Sequence, residues 1–219
     1  MSPQSGIPIA FRRERCQPDA ETLSAPHRLG AIFDMSHLDT LLSKLWNRKP
    51  KPHVEAAERM FDVVNEAARR PIFFTDLGVA DTVDGRFDLL MLHVFLAMDR
   101  LSEVEEAADV SQAFMNWTFR ILDESLREAG VGDTSVPKKM HAMADAFYGR
   151  SEAYKAGLEA DSDGPLREAI ERNLYRHAEM EPVKVATIAA YMHAAKSHLD
   201  AVATDDLLQG TLSFPEPAL

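Results

Sequence analysis

The sequence predicts an all-α protein, a single-domain bundle of about seven helices behind a loop-rich N-terminal extension. Three observations carry this. Apolar residues recur in steps of three and four through most of the chain from His53 to Val202, the period at which one face of a helix meets a core. No stretch alternates apolar and polar residues for long enough to make a half-buried strand. The segment Leu89 to Met98 is almost unbroken apolar sequence, which a water-facing helix does not tolerate, so it is expected at the centre of the fold.

The elements follow in order. Residues 1–34 mix Pro, Ser, Gln and Arg without a period, the composition of a disordered or loosely packed extension. Met35 is a second candidate start. Ser36 and Asp39 form a capping box ahead of Leu38, Leu41, Leu42, Leu45 and Trp46, a short helix with an apolar stripe. The linker Arg48-Lys-Pro-Lys-Pro52 ends it, and its cations beside that stripe also suit contact with an anionic membrane surface. Val54, Ala57, Phe61, Val64 and Ala68 line the next helix, which Pro71 closes. The stretch from Ile72 to Gly85 combines turn residues with two aromatics, so it reads either as an apolar loop plugged into the core or as a partner-binding lip.

Phe87, Leu90, Met91, Val94, Met98 and Leu101 line the central helix. After Ser102, Glu103, Glu105, Glu106 and Asp109 suit the positive end of a new helix, in which Val110, Phe114, Trp117 and Ile121 face inward. Gly130 to Val136 is a turn, where Asp133, Thr134 or Ser135 can cap the helix that begins near Pro137. Gly149 interrupts that helix at a cost of about 1 kcal/mol relative to Ala. Either a neighbouring helix approaches it closely, or a bare backbone patch is offered to a partner. Asp163-Gly-Pro165 opens another helix and Pro182 the last one, whose steps of three and four read as a seam for antiparallel packing. The domain is therefore expected over residues 35–203, with 204–219 a loose C-terminal tail.

Composition narrows the function. The 219 residues suffice for one core that buries about 70% of the unfolded surface. A net charge of -11 opposes binding driven by phosphate neutralisation, so DNA is not an expected partner. The lone cysteine, Cys16, allows no internal disulfide and fits a reducing compartment. With no visible secretion signal and no apolar run of the ~20 residues that span a bilayer, the expected location is cytoplasmic.

Chemistry is mostly missing. No histidine has Glu three positions before it, as a di-iron bundle requires. Gly130-Val-Gly132 begins like a dinucleotide fingerprint but follows a helix, and Ser135 stands where the third glycine belongs. His193 and His198 are five residues apart, which does not place both on one helical face for a metal. His93 alone suggests a cofactor, as an axial haem ligand inside an apolar helix. A core histidine bonded to a backbone carbonyl or a carboxylate accounts for the same pattern.

Gly78-Val-Ala-Asp-Thr-Val-Asp-Gly-Arg-Phe87, the Leu92-His93 pair, Gly130-Val-Gly-Asp133, Val136-Pro-Lys-Lys-Met140 and Ala146-Phe-Tyr-Gly-Arg150 together resemble, in order and spacing, the ubiquinol-cytochrome c chaperone family. The resemblance covers Val54 to Leu174, with Ala80 where a proline is expected. It implies a chaperone and not an enzyme: a bacterial counterpart of factors that bind newly made cytochrome b during assembly of the cytochrome bc complex. Such a protein works at the cytoplasmic face of the inner membrane and in peripheral contact with it, with a small second assembly factor and the ribosome as further partners. The expected partner-binding surface is an apolar groove beside Phe147, Tyr148 and Gly149, with the turn from Gly130 to Val136, including Gly132 and Asp133, at one end; contact with ribosomal RNA would rely on a local patch of Lys138, Lys139 and Arg150. A haem carrier or sensor using His93 and a plain helical interaction module remain as alternatives.

Overall fold

The computed structural model describes residues 51–176 and 178–218. The helix expected over residues 36–46 and the extension before it lie outside the described residues.

Lys51 is extended, and Pro52 sets the first turn of α1 (Pro52–Ala67), which buries Ala56, Ala57, Met60, Phe61, Val64 and Ala67. A single turn, α2 (Ile72–Thr75), follows and buries Phe73. The amides of Leu77 and Val79 then donate to the carbonyls of Ile72 and Phe73, both at about 3 Å. Leu77 and Val79 are 2% exposed, so the first half of this segment is the core plug that its aromatics suggest.

Thr82 caps α3 (Val83–Ser102) by accepting from the Gly85 amide at 3.1 Å. A Cβ on Gly85 would stand 2.0 Å from the Ala80 carbonyl oxygen, so the close turn of chain into helix admits only glycine. The 3-10 turn Glu105–Ala107 leads into α4 (Ala108–Glu128). Gly130, at φ +81, ends α4. Its amide donates to the Arg127 carbonyl and that of Val131 to the Leu126 carbonyl, the paired bonds of a Schellman cap. Then come α5 (Val136–Leu158), α6 (Gly164–Asn173), α7 (Pro182–Asp200) and α8 (Thr204–Leu208). The described residues contain no strand.

The apolar run does form the centre. α3 packs against α1, α4, α5 and α7, and Leu89, Leu92, Val94 and Leu96 are fully buried. It is not purely apolar, because Asp88, His93 and Asp99 are buried along it. A buried polar group needs a partner, and these three tie α3 to its neighbours.

One expectation about the C-terminal part gives way. The last long helix, α7, packs antiparallel against α6, whose start at Asp163 lies 3.3 Å from His193, and it also runs beside α3 in the same direction. His93 Nε2 meets Tyr191 Oη at 2.7 Å, and Arg100 Nε donates to the Leu199 carbonyl at 3.0 Å further along. The residues after 204 are not a loose tail. Leu207, Leu212 and Phe214 are buried, Arg59 donates to the Gln209 carbonyl, and Arg70 holds the Phe214 and Pro215 carbonyls. Two prolines and few apolar residues suggested looseness; three well-spaced apolar side chains and two arginines on the α1 side overcome it.

Candidate docking surface

The predicted site residues cluster around α5, but they divide into two groups. Tyr148 is 60% exposed, Gly149 is exposed next to it, and Lys138 and Lys139 are exposed in the first turn of the same helix. A Cβ on Gly149 would meet nothing within 4 Å. Close helix packing is therefore not the reason for this glycine, and the bare backbone faces open space. Phe147 and Arg150 point the other way. Phe147 is 4% exposed and belongs to the core, with its ring edge-on to Tyr148 at 5.7 Å.

Arg150 is drawn in by Asp88, itself 1% exposed. Its Nη2 lies 2.8 Å from Asp88 Oδ1, and Arg176 grips the same carboxylate with Nε 2.6 Å from Oδ2 and Nη2 3.2 Å from Oδ1. The hydrogen bond to Asp88 holds the Arg176 guanidinium more firmly protonated than usual. Arg176 takes a left-handed backbone, φ 53, to reach it. Arg150 Nη1 and Tyr154 Oη, one helical turn apart on α5, are buried without hydrogen-bond partners, and burial pushes the Tyr154 phenol up. Among the described residues, Phe147 and Arg150 therefore lie beneath the exposed side of α5, over an ion-paired support.

The turn before α5 is exposed at Gly130, Gly132 and Asp133. None of Asp133, Thr134 and Ser135 caps α5, since no side chain accepts its first amides. Asp133 Oδ1 instead pairs with Arg127 Nη1 at 2.5 Å, a short-range attraction that outcompetes the cap.

His93 is the core histidine. Its Nδ1 donates to the Leu89 carbonyl at 2.8 Å, which leaves the Nε2 lone pair to accept from the Tyr191 hydroxyl at 2.7 Å. Phe73, Tyr191 and Phe214 close around the ring at 5.1–5.6 Å. Burial, with Arg70 adding to it, holds the imidazole down to about 4. Both nitrogens are committed, so this geometry leaves no lone pair for a haem iron. The other two predicted histidines serve locally: His193 lies 3.3 Å from Asp163 and His198 bonds Ser213 at 2.8 Å. No cluster of three His, Cys, Asp or Glu among the described residues suits a metal ion.

Sequence reasoning missed Asp88, Asp99 and Arg176. Asp99 receives Lys155 Nζ at 2.9 Å and Lys196 Nζ at 3.3 Å, and its hydrogen bond raises the Lys155 ammonium pKa. A signal existed: a carboxylate at each end of an apolar helix must be paired.

The fold and this surface define the class: an all-α domain with an uncommitted helical face, braced from beneath by buried ion pairs. The chain belongs to the ubiquinol-cytochrome C chaperone family, whose model matches residues 75–214. Relatives named ubiquinol-cytochrome-c reductase complex assembly factor 1 are similar to it over 154 residues. The frog protein, from Xenopus laevis, is 24% identical over 70% of this chain and 76% of its own. The mouse and human proteins, from Mus musculus and Homo sapiens, are each 23% identical over the same share of this chain. The match spans about half of each mammalian protein, 52% and 51%. A solved structure described as the Cbp3 homolog from Brucella abortus aligns with a TM-score of 0.69 at 34% identity, covering 80% of this chain and 97% of that one.

Proposed function

We propose that this protein is an assembly chaperone of the ubiquinol-cytochrome c reductase complex and that its client is newly made cytochrome b. The observation that carries the reading is the family match from Thr75 to Phe214, which takes in α5, the Asp88 ion-pair cluster and the packed C-terminal segment together. Chaperoning of this kind is binding without bond chemistry. In this reading the exposed side of α5, with Tyr148 and the open backbone at Gly149, receives an apolar segment of the client, and Lys138 and Lys139 orient it. Aromatic and bare-backbone surface gives contact area at a low entropy cost. Phe147 and Arg150 hold the face in place from below.

No helix among the described residues is long and apolar enough to cross a membrane, which is consistent with peripheral action at the cytoplasmic face of the inner membrane. A second assembly factor or the ribosome would meet the same face. Contact with ribosomal RNA would rest on Lys138 and Lys139, since Arg150 is committed to Asp88.

The test is a reduced-minus-oxidised spectrum of membranes from cells lacking this chain, with ubiquinol-cytochrome c reductase activity measured alongside. The expected result is selective loss of the b-type signal and activity, restored by the intact gene and not by a Tyr148→Ala, Gly149→Leu variant. Unchanged cytochrome b would return the protein to a helical interaction module with another role.

A further inference from the structure

We propose a second docking surface at the end of the bundle where α3 and α7 begin, built to take a Lys- or Arg-bearing apolar segment of a partner protein. It rests on the chaperone reading only in taking the partner to be a protein.

Two loops make this platform. Tyr175 donates its hydroxyl to the Leu77 carbonyl at 2.7 Å, and Arg176 Nη1 reaches Asp84 at 3.2 Å. Met180 and Lys184 lie directly over Gly78, where a Cβ would stand 3.1 Å from the Met180 sulfur and 3.7 Å from Lys184 Cδ. α3 and α7 run in the same direction, so their first turns emerge side by side. Those turns carry Val83, 67% exposed, and Val183, 64% exposed, while the core takes nearly every other large apolar side chain. Two β-branched residues standing in water at the tip of a well-packed end are not needed by the fold. Val83 lies in the middle of the motif Gly78 to Phe87, whose buried members already have packing roles.

Charge identifies the occupant. A cavity of about 460 Å³ opens beside the platform, lined by Glu171, Ala178, Glu179 and Met180. Neither Glu171 nor Glu179 has a cation partner among the described residues. Three cations around the platform are engaged with other carboxylates: Arg86 with Asp81, Lys184 with Glu181, and Arg176 with Asp84 and Asp88. Two carboxylates without a cation partner beside Ala178 and Met180 match a lysine or arginine, whose stem can lie along Met180 while its head meets the carboxylates. Val83 and Val183 then receive the apolar residues beside that cation. An anionic lipid surface is disfavoured by the same charges.

The full chain is titrated with a fluorescent amphipathic peptide of Leu and Lys, and with its Leu and Glu counterpart. Wild-type protein is expected to bind the cationic peptide only. Glu171→Gln with Glu179→Gln is expected to weaken binding about tenfold or more, as is Val83→Ser with Val183→Ser, with thermal midpoints unchanged at these exposed positions. Glu171→Lys with Glu179→Lys is expected to transfer the preference to the anionic peptide. A control pair on α5, Asp145→Asn with Glu152→Gln, removes the same charge elsewhere. Equal weakening by the control pair, or none by the platform pair, overturns the proposal. The outcome is separable from the assembly reading: loss of b-type cytochrome in cells lacking the chain, together with normal peptide binding by the platform variants, would leave that reading standing and remove this one.

Discussion

Arg150 on α5 and Asp88 on α3 are joined at 2.8 Å, with the carboxylate 1% exposed. This pair fixes the height of α5 above the central helix. Asp88→Ala would leave Arg150 buried with its charge uncompensated, a loss of about 3–5 kcal/mol. Chemical denaturation of Asp88→Ala, Arg150→Met and the double variant is expected to show strong coupling between the two sites, with the double variant more stable than Asp88→Ala. Additive effects would mean that Arg176 alone holds Asp88.

Gly149 separates stability from docking. With nothing within 4 Å of a Cβ, Gly149→Ala removes only the helix penalty of glycine and should stabilise the protein by up to about 1 kcal/mol. If the backbone there is a contact surface, the same variant raises the thermal midpoint while lowering cytochrome b levels in complemented cells. A rise in both would make the glycine incidental.

Acid should act through His93. Its folded value of about 4 lies below the ordinary 6.5, so the unfolded chain binds the extra proton first as pH falls. The neutral imidazole therefore contributes stability that is fully present above about pH 6.5 and is lost as pH falls toward 4. The whole step is at most about 3 kcal/mol. Urea midpoints measured across this range should fall more steeply for wild type than for His93→Gln. Tyr191→Phe leaves the Nε2 lone pair unsatisfied and should cost about 1–3 kcal/mol at neutral pH.

Phe214 closes the same ring cluster from the C-terminal segment, 5.1 Å from the His93 ring. Phe214→Ala should cost about 3–5 kcal/mol, measured by thermal unfolding. Arg70→Ala, which frees the carbonyls of Phe214 and Pro215, should weaken the same closure. A tail that merely lay on the surface would give a change near zero.

The helices were legible because their apolar period is strong, and the central position of α3 followed from Leu89 to Met98. The parallel contact of α7 with α3 was not, since steps of three and four mark a buried face without saying which neighbours it meets. Tyr148, Gly149 and Arg150 were singled out by motif, but a motif does not divide a helix into a side that faces water and a side that faces the core; the ion pair with Asp88 turns Arg150 inward. The order of residues 207–217 was hidden because its partners, Arg59 and Arg70, lie some 150 residues earlier in the chain.

The bond between His93 and Tyr191 spans 98 residues, and it has a consequence in time. At ~5–20 residues per second of synthesis, the 98-residue interval means that α3 is complete for about 5–20 s before its partner helix exists. During that interval its most apolar sequence has neither the Tyr191 hydroxyl nor the lid of Phe214. A member of a chaperone family thus passes through an exposed state of its own while it is being made.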